Sequence, residues 1–446
     1  MKKLILVSTL IIGCMNLFGQ SLTLEQARVL GLANSRSLAK IDLNLQNSLL
    51  NEKAQLYALL PVVKADYSAS MNYLKQNWAL VNPVDTLSTK ANFSVTQKIF
   101  EGGRGLIQKS IFAIATESVR KDALAEYFNV LDAVDNAYYA VLEAAASLDA
   151  AESSLRMAGL SLSVAEIRQA SGMLNRGDYL KALADKESRE NSRNQARRDL
   201  ALSMAKLKNL IGVKENLQLE PVDFAAYEGL IQSLAEISDD DADALYDKLW
   251  KVIAQSNPSL AKAVLNNQTA QKNLSLAKRE LAPTVSATIV SGGIVYSTAK
   301  GLEVPSNGGV SLAGSIPLDF WVRANKIEKS KIAVKAAALD YIGASVSLEM
   351  ELQGALLGTF AQAGSVLSSR RALDYAEKHF EYVMERYRLS QSSVSDVSDA
   401  SVLASSSRAQ FIRSQYGFLQ SLSKLRSLGA IDDEDKLIAI LLGDGR

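Results

Sequence analysis

The sequence predicts a mostly α-helical chain interrupted by strands of a membrane β-barrel, with the whole arrangement written twice. Three observations predict it: stretches of strict apolar and polar alternation, proline-free stretches long enough for exceptional helices, and residue identities that recur at a fixed offset between the two halves. Each is taken below in chain order.

Residues 1–20 read as a signal peptide, with Lys2 and Lys3 as the charged start, Leu4 to Ile12 as the apolar stretch, and Phe18-Gly19-Gln20 before the cut at Ser21. Cys14 is the only cysteine, so no intramolecular disulfide can form. The run Leu10-Ile11-Ile12-Gly13-Cys14 also resembles a lipoprotein cleavage site, which would make Cys14 a lipid-bearing first residue. Leu24 to Leu60 has a helical pattern that stops at Pro61, a residue without a backbone donor.

From Val63 the odd positions are Val63, Ala65, Tyr67, Ala69, Met71 and Tyr73, and the even ones are Lys64, Asp66, Ser68, Ser70 and Asn72. A return strand sets Ala91, Phe93 and Val95 against Lys90, Asn92, Ser94 and Thr96, with Leu74 to Thr86 as the loop. Outer-membrane strands need ~9 to 11 residues of this pattern, apolar toward lipid and polar toward a wet lumen. A soluble hairpin with one face on a core shows the same period.

Gly102-Gly103-Arg104 turns the chain into a second helical stretch running to about Ser171, which at ~1.5 Å per residue extends ~100 Å. A compact globule of this length has a radius of gyration of only ~22 Å, so such a helix implies an elongated assembly. Tyr127, Leu131, Val134, Tyr138, Val141, Ala145, Leu148, Leu155 and Leu162 fall on alternating steps of four and three, the heptad rhythm of a coiled coil, broken at Glu152 and Gly159. The turn Ser171 to Asp178 leads into a return helix from Tyr179 to Ile211, and Gly212 to Asp243 reads as a connecting segment.

The pattern then restarts. An offset of 222 lays Ser37-Leu38-Ala39-Lys40 on Ser259-Leu260-Ala261-Lys262 and Pro61 on Pro283, while an offset of 218 lays Asp178 and Ala182 on Asp396 and Ala400. Strands recur around Val285, Ala287, Ile289 and around Val310, Leu312, Ile316, and a second long helix runs from Arg323 to about Leu389. The expected domains are residues 21–211 as the first repeat with its hairpin at 62–100, 212–243 as the connection, 244–431 as the second repeat with its hairpin at 284–320, and 432–446 as a tail. Four strands cannot close a barrel, and an open edge in a bilayer leaves backbone groups unpaired, so closure needs several chains. Three copies supply twelve strands.

Other chemistry is set aside. A net charge of +1 with scattered Lys and Arg gives no basic stripe for nucleic acid. No apolar run of spanning length follows the N-terminus. His379 is the only histidine, so serine triads and zinc sites lack members. Gly102, Gly103 and Gly105 lack nucleotide-loop spacing, and Asp239 to Asp243 lack calcium-loop spacing. No enzyme activity and no cofactor is expected.

The opening run Leu22-Thr23-Leu24-Glu25-Gln26-Ala27, the proline junctions at Pro61 and Pro283, Gly102-Gly103-Arg104, and the turns ending in Asp178 and in Asp396-Val397-Ser398-Asp399 resemble the outer membrane efflux protein (TolC) family. The resemblance covers essentially the whole chain after the signal. It implies a homotrimer in outer membrane lipid, with a twelve-stranded barrel continued by a long α-helical barrel across the periplasm. It implies a passive exit duct of a tripartite efflux pump or type I secretion system, docked on a periplasmic adaptor (membrane fusion) protein and an inner-membrane RND, ABC or MFS transporter. A periplasmic coiled-coil scaffold without channel activity is the alternative.

At residue level, the resemblance puts Asp396 and Asp399 at an inner aperture, where six carboxylates of a trimer would attract cations; the plain alternative is that Ser395 and Asp396 cap a helix. Tyr387 is expected to tie neighbouring coils or to pack in the coil, and Ser392 stands where related proteins place a basic clamp. Gly172, Met173, Leu174, Ser390, Gln391 and Ser392 are the expected adaptor contacts.

Overall fold

The computed structural model describes residues 21–72, 86–215, 217–297, 301–303 and 308–443. The expected signal peptide with Cys14, most of the first hairpin loop, parts of the second hairpin and the last residues of the tail lie outside these.

The first helical stretch is two helices rather than one, α1 (Leu24–Asn34) and α2 (Arg36–Tyr57). Ser35 between them is extended, with φ −67 and ψ 112, and its hydroxyl accepts the Leu38 N–H at 3.2 Å to restart the helix. Such local serine bonding competes with helix continuity, which periodicity alone does not show. Strands β1 (Val62–Asn72) and β2 (Thr86–Phe100) follow, then α3 (Arg104–Ala170) and α4 (Arg176–Ile211). Between the halves lie a short 3-10 turn (Phe224–Tyr227), α5 (Glu228–Ala235) and α6 (Asp239–Ser256). The second half contains α7 (Pro258–Arg279), β3 (Thr284–Val290), β4 (Ile294–Ser297), β5 (Gly301–Glu303), β6 (Gly309–Ser315), α8 (Phe320–Arg388), α9 (Val394–Gly429) and α10 (Glu434–Leu442).

The chain forms two compact units, each drawn from both repeats. One contains Ile41–Asp122 and Ala261–Ala344; the other takes the residues up to Lys40, Ala123–Leu260 and everything from Ser345.

In the first unit all strands join one antiparallel sheet of six segments in four rows: β1, β2, β3 continued by β4, and β6 beside β5. The second hairpin is interrupted because Gly293 has φ +73, and a side chain there would meet the Ala91 carbonyl at 2.9 Å. The register sorts the two faces. Val63 faces Val95, Ala65 faces Phe93, Tyr67 faces Ala91 and Met71 faces Leu87, while Lys64 faces Ser94, Asp66 faces Asn92 and Ser68 faces Lys90. The apolar row continues through Ile289 opposite Val95 and Val310 opposite Ile289, and the polar row through Thr288 opposite Thr96. No core covers the apolar side: Tyr67 is 73% exposed and Val310 is 80% exposed. At the sheet base Gly102 and Gly103 have φ +66 and +72, and a side chain on Gly102 would stand 2.4 Å from the Ala282 Cβ. The turn expected there is therefore a left-handed glycine turn that no bulkier residue fits.

In the second unit the heptad reading holds with a shift. Leu131, Val134, Tyr138 and Val141 are buried, but Ala145 is exposed and the buried stripe resumes at Ser154, Ala158, Ser161 and Ala165. On α8 the buried positions Leu352, Leu356, Thr359, Ala363 and Val366, and then Ala376, Phe380, Val383 and Tyr387, keep the three-and-four alternation.

One carboxylate ties this unit together. Asp135, fully buried on α3, accepts from Arg28 of α1 (Nε at 2.7 Å, Nη2 at 3.0 Å), from Arg426 of α9 (Nη2 at 2.6 Å) and from the Ser423 hydroxyl at 3.0 Å. Arg28 also reaches Glu434 of α10 at 3.2 Å, and the Tyr227 hydroxyl donates to Glu434 at 2.9 Å. Burial opposes the charge on Arg28, but Asp135 and Glu434 more than offset it and raise its pKa above the ordinary arginine value. Asp135→Ala takes the shared partner from the buried Arg426 and the partly buried Arg28 and should lower stability by about 3–5 kcal/mol. A denaturant midpoint equal to the parent's would show that the cluster contributes nothing.

Candidate functional site

The two helix-to-helix turns of the second unit are built alike, position for position. At the end of α3 the Met173 N–H donates to the Arg168 carbonyl at 2.8 Å and the Gly172 N–H to Gln169 at 2.9 Å, with Gly172 at φ +71. At the end of α8 the Gln391 N–H donates to Arg386 at 2.8 Å and the Ser390 N–H to Tyr387 at 3.0 Å, with Ser390 at φ 60. Both are Schellman closures, which need a left-handed residue after the helix.

The next helices start alike too. The Asn175 side chain accepts the Asp178 N–H at 2.8 Å. The Ser393 hydroxyl accepts the Asp396 N–H at 3.1 Å, and the Asp396 carboxylate accepts the Ser393 N–H at 2.8 Å, which completes a capping box. The cap is thus Ser393, not Ser395; the Ser395 hydroxyl instead accepts from Lys181 of α4 at 2.8 Å. The Ser393 bonds hold the Asp396 carboxyl below the usual carboxylate range. Its contribution is therefore present above the ordinary aspartate pKa and is lost as pH falls through the depressed value.

Asp396 and Asp399 share an exposed face of α9, opposite buried Val394, Val397 and Ala400. Capping does not remove Asp396 from that face. Met173 is 62% exposed, and Gly172, Ser390 and Gln391 are also exposed, whereas Ser392 is half-buried. Leu174 turns inward onto a cluster formed by Tyr387, Val383, Phe380, Leu162, Val394 and Val397.

Tyr387 is 0% exposed within a single chain. Its ring lies under the Arg168 guanidinium, 4.9 Å from centroid to carbon, and its hydroxyl has no well-placed hydrogen-bond partner among the described residues. Burial pushes that hydroxyl up and neighbouring Arg168 opposes the shift. Sequence reasoning missed Arg168: the cation beside Tyr387 comes from the first repeat's helix end, where no spacing within the second repeat points. Among the described residues no cluster of His, Cys, Asp and Glu could hold a metal, and no helix is long and apolar enough to cross a membrane.

A duplicated set of very long helical hairpins with a sheet that is apolar on one exposed face defines a class of outer-membrane channel proteins. Residues 29–213 and 249–430 match the outer membrane efflux protein family, and the chain belongs to that family. It is therefore an outer membrane efflux protein, in a family of channels rather than enzymes. Comparison with curated proteins gives no sequence match. Among solved structures, the chain is similar to CusC, described as undergoing conformational changes on folding and transmembrane channel formation, with 16% identity, TM-score 0.76 and 91% of each chain covered. It is also similar to the Campylobacter jejuni outer membrane channel CmeC, with 15% identity, TM-score 0.74, and 94% of this chain and 89% of that one covered. The open state of the Neisseria gonorrhoeae outer membrane channel MtrE gives 16% identity, TM-score 0.71, and 91% and 88% covered. At these identities the likeness establishes the fold.

The left-handed residues that close α3 and α4 are glycines, Gly172 and Gly212; those that close α8 and α9 are Ser390 and Ala430, at φ 60 and φ 48. Left-handed geometry costs a residue with a Cβ about 1–2 kcal/mol. Ser390→Gly and Ala430→Gly should each stabilise the protein by about 0.5–1 kcal/mol after the added freedom of the unfolded chain is subtracted. Chemical denaturation of the single and double variants checks this, and a loss of stability in both would contradict the strain.

Proposed function

We propose that three copies of this chain close their sheets into one twelve-row barrel in the outer membrane, and that the helices line a duct across the periplasm. The duct passively carries cargo out of a tripartite efflux pump or a type I secretion system, and it joins a periplasmic adaptor and an energised inner-membrane transporter. The observation that carries this reading is the sheet: its apolar residues share one exposed face, its polar residues share the other, and among the described residues its outer rows lack a partner on one side. Lipid satisfies the first face, water in a lumen the second, and neighbouring copies the open edges.

The test is purification from detergent-solubilised outer membrane, with native mass and single-channel recording in a planar bilayer. A trimer that conducts is the expected result, and a freely soluble monomer at high concentration overturns the reading.

The exposed face bearing Asp396 and Asp399 is proposed to ring the inner aperture, with six carboxylates near one axis. Replacing both by alanine should raise conductance or weaken block by divalent cations. An unchanged record would remove them from the aperture.

The outward side chains of the two turns are proposed to receive the adaptor. They are Met173 and Gln391, beside Gly172 and Ser390, with Ser392 at the margin; Leu174 supports the turn from within. Met173→Asp with Gln391→Asp should abolish adaptor capture while trimer yield stays at the parent level. Undiminished co-purification of the adaptor would refute the contact.

A further inference from the structure

Behind the turns, a cavity of about 130 Å³ opens between α3, α8 and α9. Its wall is apolar at Ala150, Met157, Phe380 and Ala404. Two serine hydroxyls in the wall, Ser154 (8% exposed) and Ser401 (5% exposed), have no hydrogen-bond partner among the described residues. Buried hydroxyls are rarely left without a hydrogen-bond partner, so both can accept or donate to whatever enters the cavity. The charges in the wall are already matched: both Nε, at 3.1 Å, and Nη2 of Arg408 donate to Glu377. Ser405 is likewise engaged, donating to the Ser401 carbonyl at 2.7 Å and accepting from Arg189 at 3.1 Å. Glu381, which is exposed, has no ion-pair partner among the described residues.

We propose that this cavity is a binding site for a small neutral aromatic alcohol of phenol size. A void of ~150 Å³ takes a benzene ring when its walls are apolar. Here the ring packs against Phe380, Met157 and Ala404, and the single hydroxyl supplies the partner that Ser154 and Ser401 lack. A ligand without a hydroxyl leaves both serines unpaired. An anion gains nothing from Arg408, which Glu377 already occupies, and meets Glu381. The site lies within the helical unit of a single chain and does not depend on the proposed duct.

The probe is 4-fluorophenol, titrated into the full-length protein in detergent and followed by fluorine NMR, with fluorobenzene and 4-fluorobenzoate as comparators. Saturable binding of 4-fluorophenol is expected, about tenfold tighter than fluorobenzene, the value of one net hydrogen bond, with no saturable binding of 4-fluorobenzoate. Ser154→Ala with Ser401→Ala should bring 4-fluorophenol down to the level of fluorobenzene. Filling the void by Ala404→Leu, or by Ala150→Leu at its edge, should abolish binding of both, with helicity checked by circular dichroism. If neither filled variant folds, the serine pair decides. No saturable binding would mean the cavity holds water alone and would overturn the proposal. So would a response unchanged by the filled variants, which marks partition into detergent, a phenol preference that survives loss of both serines, or equal binding of the benzoate.

Discussion

The constraint on which the rest depends is that one chain cannot complete its own sheet. The rows from β1 to β6 pair internally, yet among the described residues their outer sides remain open and a continuous apolar face stays uncovered. In water that face forfeits ~25 cal/mol for each Å² left exposed, and in lipid each unpaired backbone group costs several kcal/mol. Association of copies in a bilayer removes both penalties. The chain's membership of the outer membrane efflux protein family agrees with a membrane setting for this face.

The helical unit solves a different problem. Helices of this length present too narrow an apolar stripe to make a globular core, and Ala, Ser and Gly along them allow close approach in place of bulk. What fixes their relative position is polar and local. Asp135 collects Arg28, Arg426 and Ser423 from two other helices, while the Asn257 side chain donates to the Leu428 carbonyl at 3.0 Å and that of Asn34 to Leu210 at 3.0 Å. A buried carboxylate with two guanidiniums suits a register pin better than a source of net stability, since desolvation consumes much of the attraction.

The duplication preserves backbone geometry more faithfully than residue type. Gly172 and Ser390 occupy the same left-handed position, as do Gly212 and Ala430, with equivalent hydrogen bonds to carbonyls 218 residues apart. Asp178 and Asp396 both stand at the third position of a capped helix start. The second copy carries more backbone strain at these helix ends, and there the exposed Asp396 and Asp399 stand where the first copy has the half-buried Asp178 and the exposed Lys181.

By itself the sequence determined the order of elements, the alternation that assigns each strand a wet and a greasy side, the lengths of the two great helices and the existence of the repeat. These are local properties: period two, period three and a half, and proline or glycine at fixed places. Tertiary structure decided the rest. The break at Ser35, the interruption at Gly293, the true cap at Ser393, the inward turn of Leu174 and the seat of Arg168 over Tyr387 depend on which side chain meets which partner, a few positions away at Ser35 and Ser393 and far along the chain at Arg168, or on a single dihedral angle. Hydrophobic period is blind to both, because it averages over a face whereas a hydrogen bond or a close contact is settled atom by atom.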